Sequence, residues 1–265
     1  MVKNNYWLNR MLKTQKAIAD KTIKDIEKQL VKYYGKAMKN VIYDFEVTYD
    51  KLLATIESGN EPTPADLYKL DRYWKMQAQL KKELEKLGNK QIVLLSKEFE
   101  KEWNEIYKAT VLPSDKAFST ISTNNAKSMI NNVWLADGKN FSQRVWDNTD
   151  KLVQTLNDEL INCVVTGKKT TELSKKLQRR FEVSTYRANT LVRTEVAHIQ
   201  TQASVQRYKD YGLTKYIFLA DTDERTCGVC ESLDGKEFYY SEMQVGVNCP
   251  PMHPNDRCTI IPVIE

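Results

Sequence analysis

The chain has 265 residues, 41% hydrophobic and 28% charged, with 40 Lys and Arg against 35 Asp and Glu and a formal net charge of +5. This suffices for one large domain or two modest ones with a sizeable core, and no run of about 18 apolar residues exists to span a membrane. The opening stretch MVKNNYWLNRMLKTQK lacks the apolar segment of a secretory signal, and five cysteines, an odd number that includes a tight CxxC pair, read as reduced thiols open to metal in a reducing compartment.

The first half is helical by period. From Ile23 to Ile56 the apolar residues Ile26, Leu30, Tyr33, Met38, Val41, Phe45 and Leu52 recur mostly at steps of three and four, and Ser58-Gly59-Asn60 with Pro62 and Pro64 ends the pattern. A second helix is expected from Ala65 to Leu87, stopped by Gly88-Asn89. A third runs from Gln91 to Val111 and ends at Pro113. Residues 1–112 thus read as a helical bundle or stalk and residues 113–123 as a linker. Within 124–265, helices are expected at Asn124–Trp134 and Phe141–Val165, the latter closed by Gly167. Thr171 caps a short basic helix. Ser184 caps a longer one that stops at Gly212.

After Gly212 the period changes to that of strands. KYIFLA (215–220) is strand-like, Asp234-Gly235 inside ESLDGKEFYY is a two-residue hairpin signal, and CTIIPVI (258–264) is an edge strand because of Pro262. The fold class is therefore mainly α (α+β): long N-terminal helices, then a helical domain ending in a small metal-clipped β unit at 213–265.

Charge is unevenly spread. Residues 1–39 hold ten Lys and Arg against three Asp and Glu, residues 165–215 eleven against four, and residues 218–265 three against nine. Lys168, Lys169, Lys175, Lys176, Arg179, Arg180 and Arg187 are candidates for phosphate contact, with a solvated helix face as the alternative.

The window CGVCESLDGKEFYYSEMQVGVNCPPMHPNDRC holds four of the five cysteines and one of the two histidines. Zinc takes deprotonated Cys and neutral His in a tetrahedron. Cys227 and Cys230 supply one pair from a single turn. Cys249, His253 and Cys258 follow on the far side of the Asp-Gly turn, with Pro250, Pro251 and Pro254 stiffening their loop. Five candidates compete for four positions, and Asp256 is a poorer sixth. A closed four-ligand site would be structural; three ligands plus water would be hydrolytic. There is no HExxH, and the Glu195–His198 pair on a helix reads as core or surface.

LVRTEVAHIQTQA, DTDERTCGVCESLDGKEF and GVNCPPMHPNDRCTIIPV together resemble the C-terminal domain of phage Mu F-type minor head proteins, also called head morphogenesis proteins. Arg193-Thr194-Glu195, Asp223 with Thr226-Cys227 and Cys230, Asp234-Gly235-Lys236, and Pro250-Pro251 with His253-Pro254 and Arg257 carry the resemblance. It is strong over residues 185–263, extends more weakly to Gly167, and covers the N-terminal half in kind alone. Tyr6-Trp7 and Arg10 resemble the family's opening.

This resemblance implies a structural role in head assembly rather than an enzyme. The implied partners are the portal protein, scaffold or major capsid protein and, non-specifically, phage DNA, with no membrane; the implied place is the virion interior, or the host cytoplasm during assembly. It also implies structural zinc on Cys227, Cys230, His253 and Cys258, with Cys249 as the alternate, since Asp256 and Cys258 depart from the family's loop. Arg193 and Glu195 are expected as a structural pair on the helix. Two other functions compete: a helix–turn–helix DNA binder using the FEVS turn (181–184), and a zinc hydrolase acting during DNA packaging.

Overall fold

The buried positions of the first helix step by three or four residues from end to end: Leu8, Met11, Gln15, Ala19, Thr22, Ile26, Leu30, Tyr34, Ala37, Val41, Phe45 and Tyr49. That spacing turns one face inward along the whole of α1 (Tyr6–Leu53). The expected start at Ile23 was too late because Gln15 and Thr22 interrupt the apolar pattern. Both find partners inside: Gln15 Nε2 donates to Thr110 Oγ1 at 2.7 Å and to Ser204 Oγ at 3.1 Å, while its Oε1 has no partner among the described residues, and the Thr22 hydroxyl donates to Glu102. Polar groups bonded in this way cost a buried stripe little.

The structure, a computed structural model, describes residues 6–54, 63–68, 70–112, 123–135 and 137–264. Residues 55–56 of the first expected helix and 113–122 of the expected linker lie outside the described residues.

A short α2 (Pro64–Tyr68) precedes α3 (Asp71–Ala109). The two helices expected on either side of Gly88-Asn89 are one. Gly88 is not a stop; a Cβ there would lie 2.8 Å from Cζ3 of Trp146, so the residue admits the indole against the helix. Next come α4 (Thr123–Ile130), shorter than expected, and α5 (Phe141–Val165), as expected, with Gly167 at φ +61° after it.

The break expected at Phe181–Ser184 is also absent. α6 (Thr170–Asp210) is a single helix, and this removes the helix–turn–helix reading. Its segment contains no Gly or Pro, and its inner stripe passes through Leu173, Leu177, Phe181, Ser184, Ala188 and Val192 without a missed step. Ser184 and Thr171 are helix-interior residues rather than caps. Gly212, at φ +77°, ends the run as expected.

Three strands follow, β1 (Lys215–Leu219), β2 (Glu237–Tyr239) and β3 (Thr259–Pro262), in the order β2-β1-β3 and antiparallel throughout. Tyr216 faces Pro262 and Leu219 faces Thr259. β3 is an edge, where a proline without an N–H is tolerated. The expected hairpin at Asp234-Gly235 is different: the residues before it form α7 (Gly228–Leu233), so the turn joins a helix to β2. Asp234 still anchors it by accepting from Ala220 N at 2.9 Å.

The chain divides into two compact units, each assembled from separate stretches. One comprises Met1–Glu27, Leu94–Ser142 and Thr190–Glu265. Its core joins Leu8, Met11, Leu112, Val205, Tyr208, Tyr216, Ile260 and Ile261. The other comprises Lys28–Val93 and Gln143–Asn189, where segments of α1, α3, α5 and α6 pack as an antiparallel bundle. Its cross-links include Asn40 Nδ2 to Glu83 at 2.7 Å, Tyr73 Oη to Asn157 at 2.8 Å and Arg180 to Glu159. These parts of the N-terminal helices, expected as a bundle or a stalk, lie in that bundle.

Candidate metal centre

Two loops of the first unit build the site. In the first, Cys227 is the N-cap of α7, and its Sγ accepts from Cys230 N at 3.4 Å. The approach to that turn is fixed by Thr226, whose hydroxyl donates to Asp221 O at 2.5 Å and accepts from Asp223 N at 2.9 Å.

In the second loop Asp256, 5% exposed, closes the chain on itself. One carboxylate oxygen accepts from Met252 N at 2.7 Å and the other from Cys258 N at 3.0 Å. Asn255 stands in the left-handed region at φ 59°, and its N–H donates to the buried Thr194 hydroxyl of α6 at 3.2 Å. Arg257 ties the loops together, reaching Asp221 at 2.9 Å and both oxygens of Asp223 at 2.7 Å. That guanidinium holds the Asp223 carboxyl well below the usual range.

This scaffold brings the ligand atoms of Cys227, Cys230 and His253 within 4.8 Å of one another, and likewise those of Cys230, Asp256 and Cys258. Cys230 belongs to both groups. His253 Nε2 lies 3.6 Å from Cys230 Sγ, and the ring's other nitrogen, Nδ1, donates to Pro254 O at 3.0 Å. That bond selects the tautomer with a free Nε2 lone pair turned to the thiols, the arrangement a metal-ligating histidine needs. It also raises the imidazole pKa. The backbone N–H of Cys230 lowers the Cys227 thiol, while burial pushes Cys230 up to about 11 and Cys258 higher still. Three thiols and one imidazole are a common structural zinc set, and a bound cation would draw the buried pair to thiolates.

Cys249 stands apart from both groups. It is fully buried with Tyr216, Tyr240 and Ile260 in the other core cluster of this unit, its Sγ 3.5 Å from Pro250 O, and burial pushes its thiol up to about 12. Asp256 has both oxygens committed to backbone N–H groups and shapes the loop. Neither Asp256 in that role nor Thr194 was assigned from the sequence; the signal for the first was an Asp two residues before a Cys in a proline-rich turn.

Other expected residues are placed as follows. Arg193 pairs with Glu27 at 2.7 Å, and Glu195 accepts from Trp134 Nε1 at 3.1 Å. His198 is buried and stacked on Trp134 with centroids 4.1 Å apart. Of the basic candidates, Lys168 pairs with Glu172, and Lys176 and Arg180 with Glu159. Lys169, Lys175, Arg179 and Arg187 are exposed and carry no ion pair among the described residues.

The stretch from α5 to β3 contains all of this machinery except Glu27, Trp134 and Lys16, whose ammonium lies 3.7 Å from the Asp221 carboxylate. Residues 154–261 match the family of phage Mu protein F like proteins. The expected resemblance at 185–263 falls almost wholly within that match. The chain is also 28% identical over 144 residues to an NAD(+)–arginine ADP-ribosyltransferase, EFV, of Enterococcus faecalis, across 48% of this chain and 29% of that protein. It therefore spans under a third of that relative's length. No solved structure matches. No helix among the described residues is long and apolar enough to cross a membrane.

Proposed function

We propose that the protein is a structural head morphogenesis component of a phage particle, with a zinc ion held by Cys227, Cys230, His253 and Cys258. The observation that supports it most is the grouping of Cys227, Cys230 and His253, with Cys258 brought beside Cys230, within the stretch matching the phage Mu protein F like family. The ion would fasten the CxxC turn to the proline-rich loop, contributing on the order of 10 kcal/mol of apparent binding energy to a piece with few core residues of its own. Partners are the portal protein and scaffold or major capsid protein, in the particle interior, with non-specific DNA contact through the unpaired cations of α6.

A second reading has one observation in its favour. Cys258 groups with Cys230 and Asp256 rather than with Cys227 and His253, and all five residues line a cavity of about 690 Å³. Three ligands facing a cavity would leave a position for water and a hydrolytic role. Metal analysis of the purified protein decides between them. One zinc per chain is expected, lost in Cys227→Ser and Cys258→Ser and kept in Cys249→Ser. Zinc retained at full affinity in Cys258→Ser would favour the hydrolytic site, and failure to associate with portal protein on co-expression would sink the head role.

A further inference from the structure

Ten cations crowd residues 1–39, and of these Lys16 alone is paired with a residue of the metal-centre loops, Asp221, among the described residues. Lys28, Lys32, Lys36 and Lys39 follow one another on α1 at steps of four, four and three, so they stand one per turn on a single face. All four are exposed, and none has an ion-pair partner among the described residues. The same repeat continues back along the helix through Lys24 and Lys21.

α6 runs beside this segment in the opposite direction. Glu46 accepts from Ser174 Oγ at 2.7 Å, and Asn148 Nδ2 donates to both Tyr34 Oη and Ser184 O, at 3.0 and 3.1 Å. These links put Lys39 level with the unpaired Arg179 and extend the row of α1 cations alongside those of α6. Of the acids nearby, Glu46 is held by Ser174, Glu182 accepts from Gln178 and Glu27 pairs with Arg193, which leaves the exposed Asp25 one turn before Lys28.

We infer that the lysine ladder of α1 is a track for the phosphate backbone of double-stranded nucleic acid. The inference rests on the head-protein reading for the presence of packaged DNA, and on α1 for the site itself. From Lys28 to Lys39 the helix rises about 17 Å, a length that faces about ten charges of a duplex. A lysine ammonium is a compact point charge suited to phosphate oxygens. Between Lys28 and Lys39 the positions interleaved on this face are Val31 and Gly35, with the exposed Tyr43 one turn beyond, too little apolar surface for the core of a protein interface. The unpaired α1 row, more than the partly neutralised α6 row, then carries the charge complementarity.

The test is binding of a labelled duplex of about 20 bp to the full-length protein, by fluorescence anisotropy across a salt series. Affinity should fall steeply with salt. The quadruple variant K28Q/K32Q/K36Q/K39Q should lose at least about tenfold at 50 mM salt, and its log–log salt slope should be shallower by about 3 to 4. A charge-matched control on α3, K75Q/K81Q/K82Q/K90Q, should lose much less. Glutamine keeps helix propensity, and unchanged melting and zinc content would show both variants folded. Equal losses in the two variants, no duplex binding by the wild type, or tighter binding of polyglutamate than of duplex at equal charge would each overturn the inference. Zinc binding and portal association are read separately, so their failure is distinguishable from failure here.

Discussion

Glu102 is wholly buried, with one carboxylate oxygen bonded to Thr22 and the other without a hydrogen-bond partner among the described residues. Burial pushes its carboxyl up to about 7; the Thr22 hydroxyl opposes this, and Glu105 adds repulsion. A raised carboxyl pKa means that the fold favours the neutral acid. Its contribution is complete below the unfolded pKa of about 4.5 and is lost as pH climbs through 7. Glu102→Gln should therefore raise the melting temperature at pH 8, by an amount worth up to about 3 kcal/mol. At pH 4.5 most of the gain should vanish; a gain independent of pH would rule out ionisation as the cause. The sequence showed Glu102 as one acid among many on a charged helix. By contrast, the nearness of Cys227, Cys230 and His253, and of Cys258 to Cys230, was legible, because few residue types supply soft ligands and their spacing is tight. The separation of Cys249 was not legible, since only the packing shows that it shares a core with Tyr216 and Ile260.

Helices were read well where polarity alternated and badly where punctuation was taken literally. α5 appeared at its expected bounds, while Gly88 and the FEVS segment were read as breaks and are helix. A glycine signals a stop through its backbone freedom, but it also signals close approach, and sequence alone cannot tell these apart. At Gly88 the two effects predict opposite signs for alanine. Helix propensity favours Gly88→Ala by about 1 kcal/mol. The clash with Trp146 opposes it by about 1 to 3 kcal/mol. The clash should win, since the nearest ring atom is 2.8 Å from the added carbon and the indole is too bulky to yield cheaply. Thermal melting should show a net loss, and Trp146→Leu should convert that loss toward a gain. A stabilised single variant would mean that the indole moves aside freely. The strand region failed differently: ESLDG has turn chemistry, but the Cys227 cap makes its first residues helical.

At the scale of the molecule, chain order and compact units do not coincide. α1, α3 and α6 each contribute to both units. No local signal reports this, because each helix shows an uninterrupted stripe whichever unit receives it. A fragment of residues 124–265 would lack Leu8, Met11 and Leu112 from the core beneath the sheet, and Gln15 and Thr110 from its polar contacts. Expressed alone, it should show no cooperative melting transition, even with zinc supplied. A sharp transition matching that of the intact chain would show that those contacts are dispensable. Leu8 and Met11, in the first turns of α1, share a core with Ile260 and Ile261 of β3, at the opposite end of the described chain. A ribosome making this protein must therefore present the first helix long before the strand that completes its setting exists. Until translation reaches β3 the inner face of α1 has no final partner there, and during synthesis it is a natural client for a chaperone.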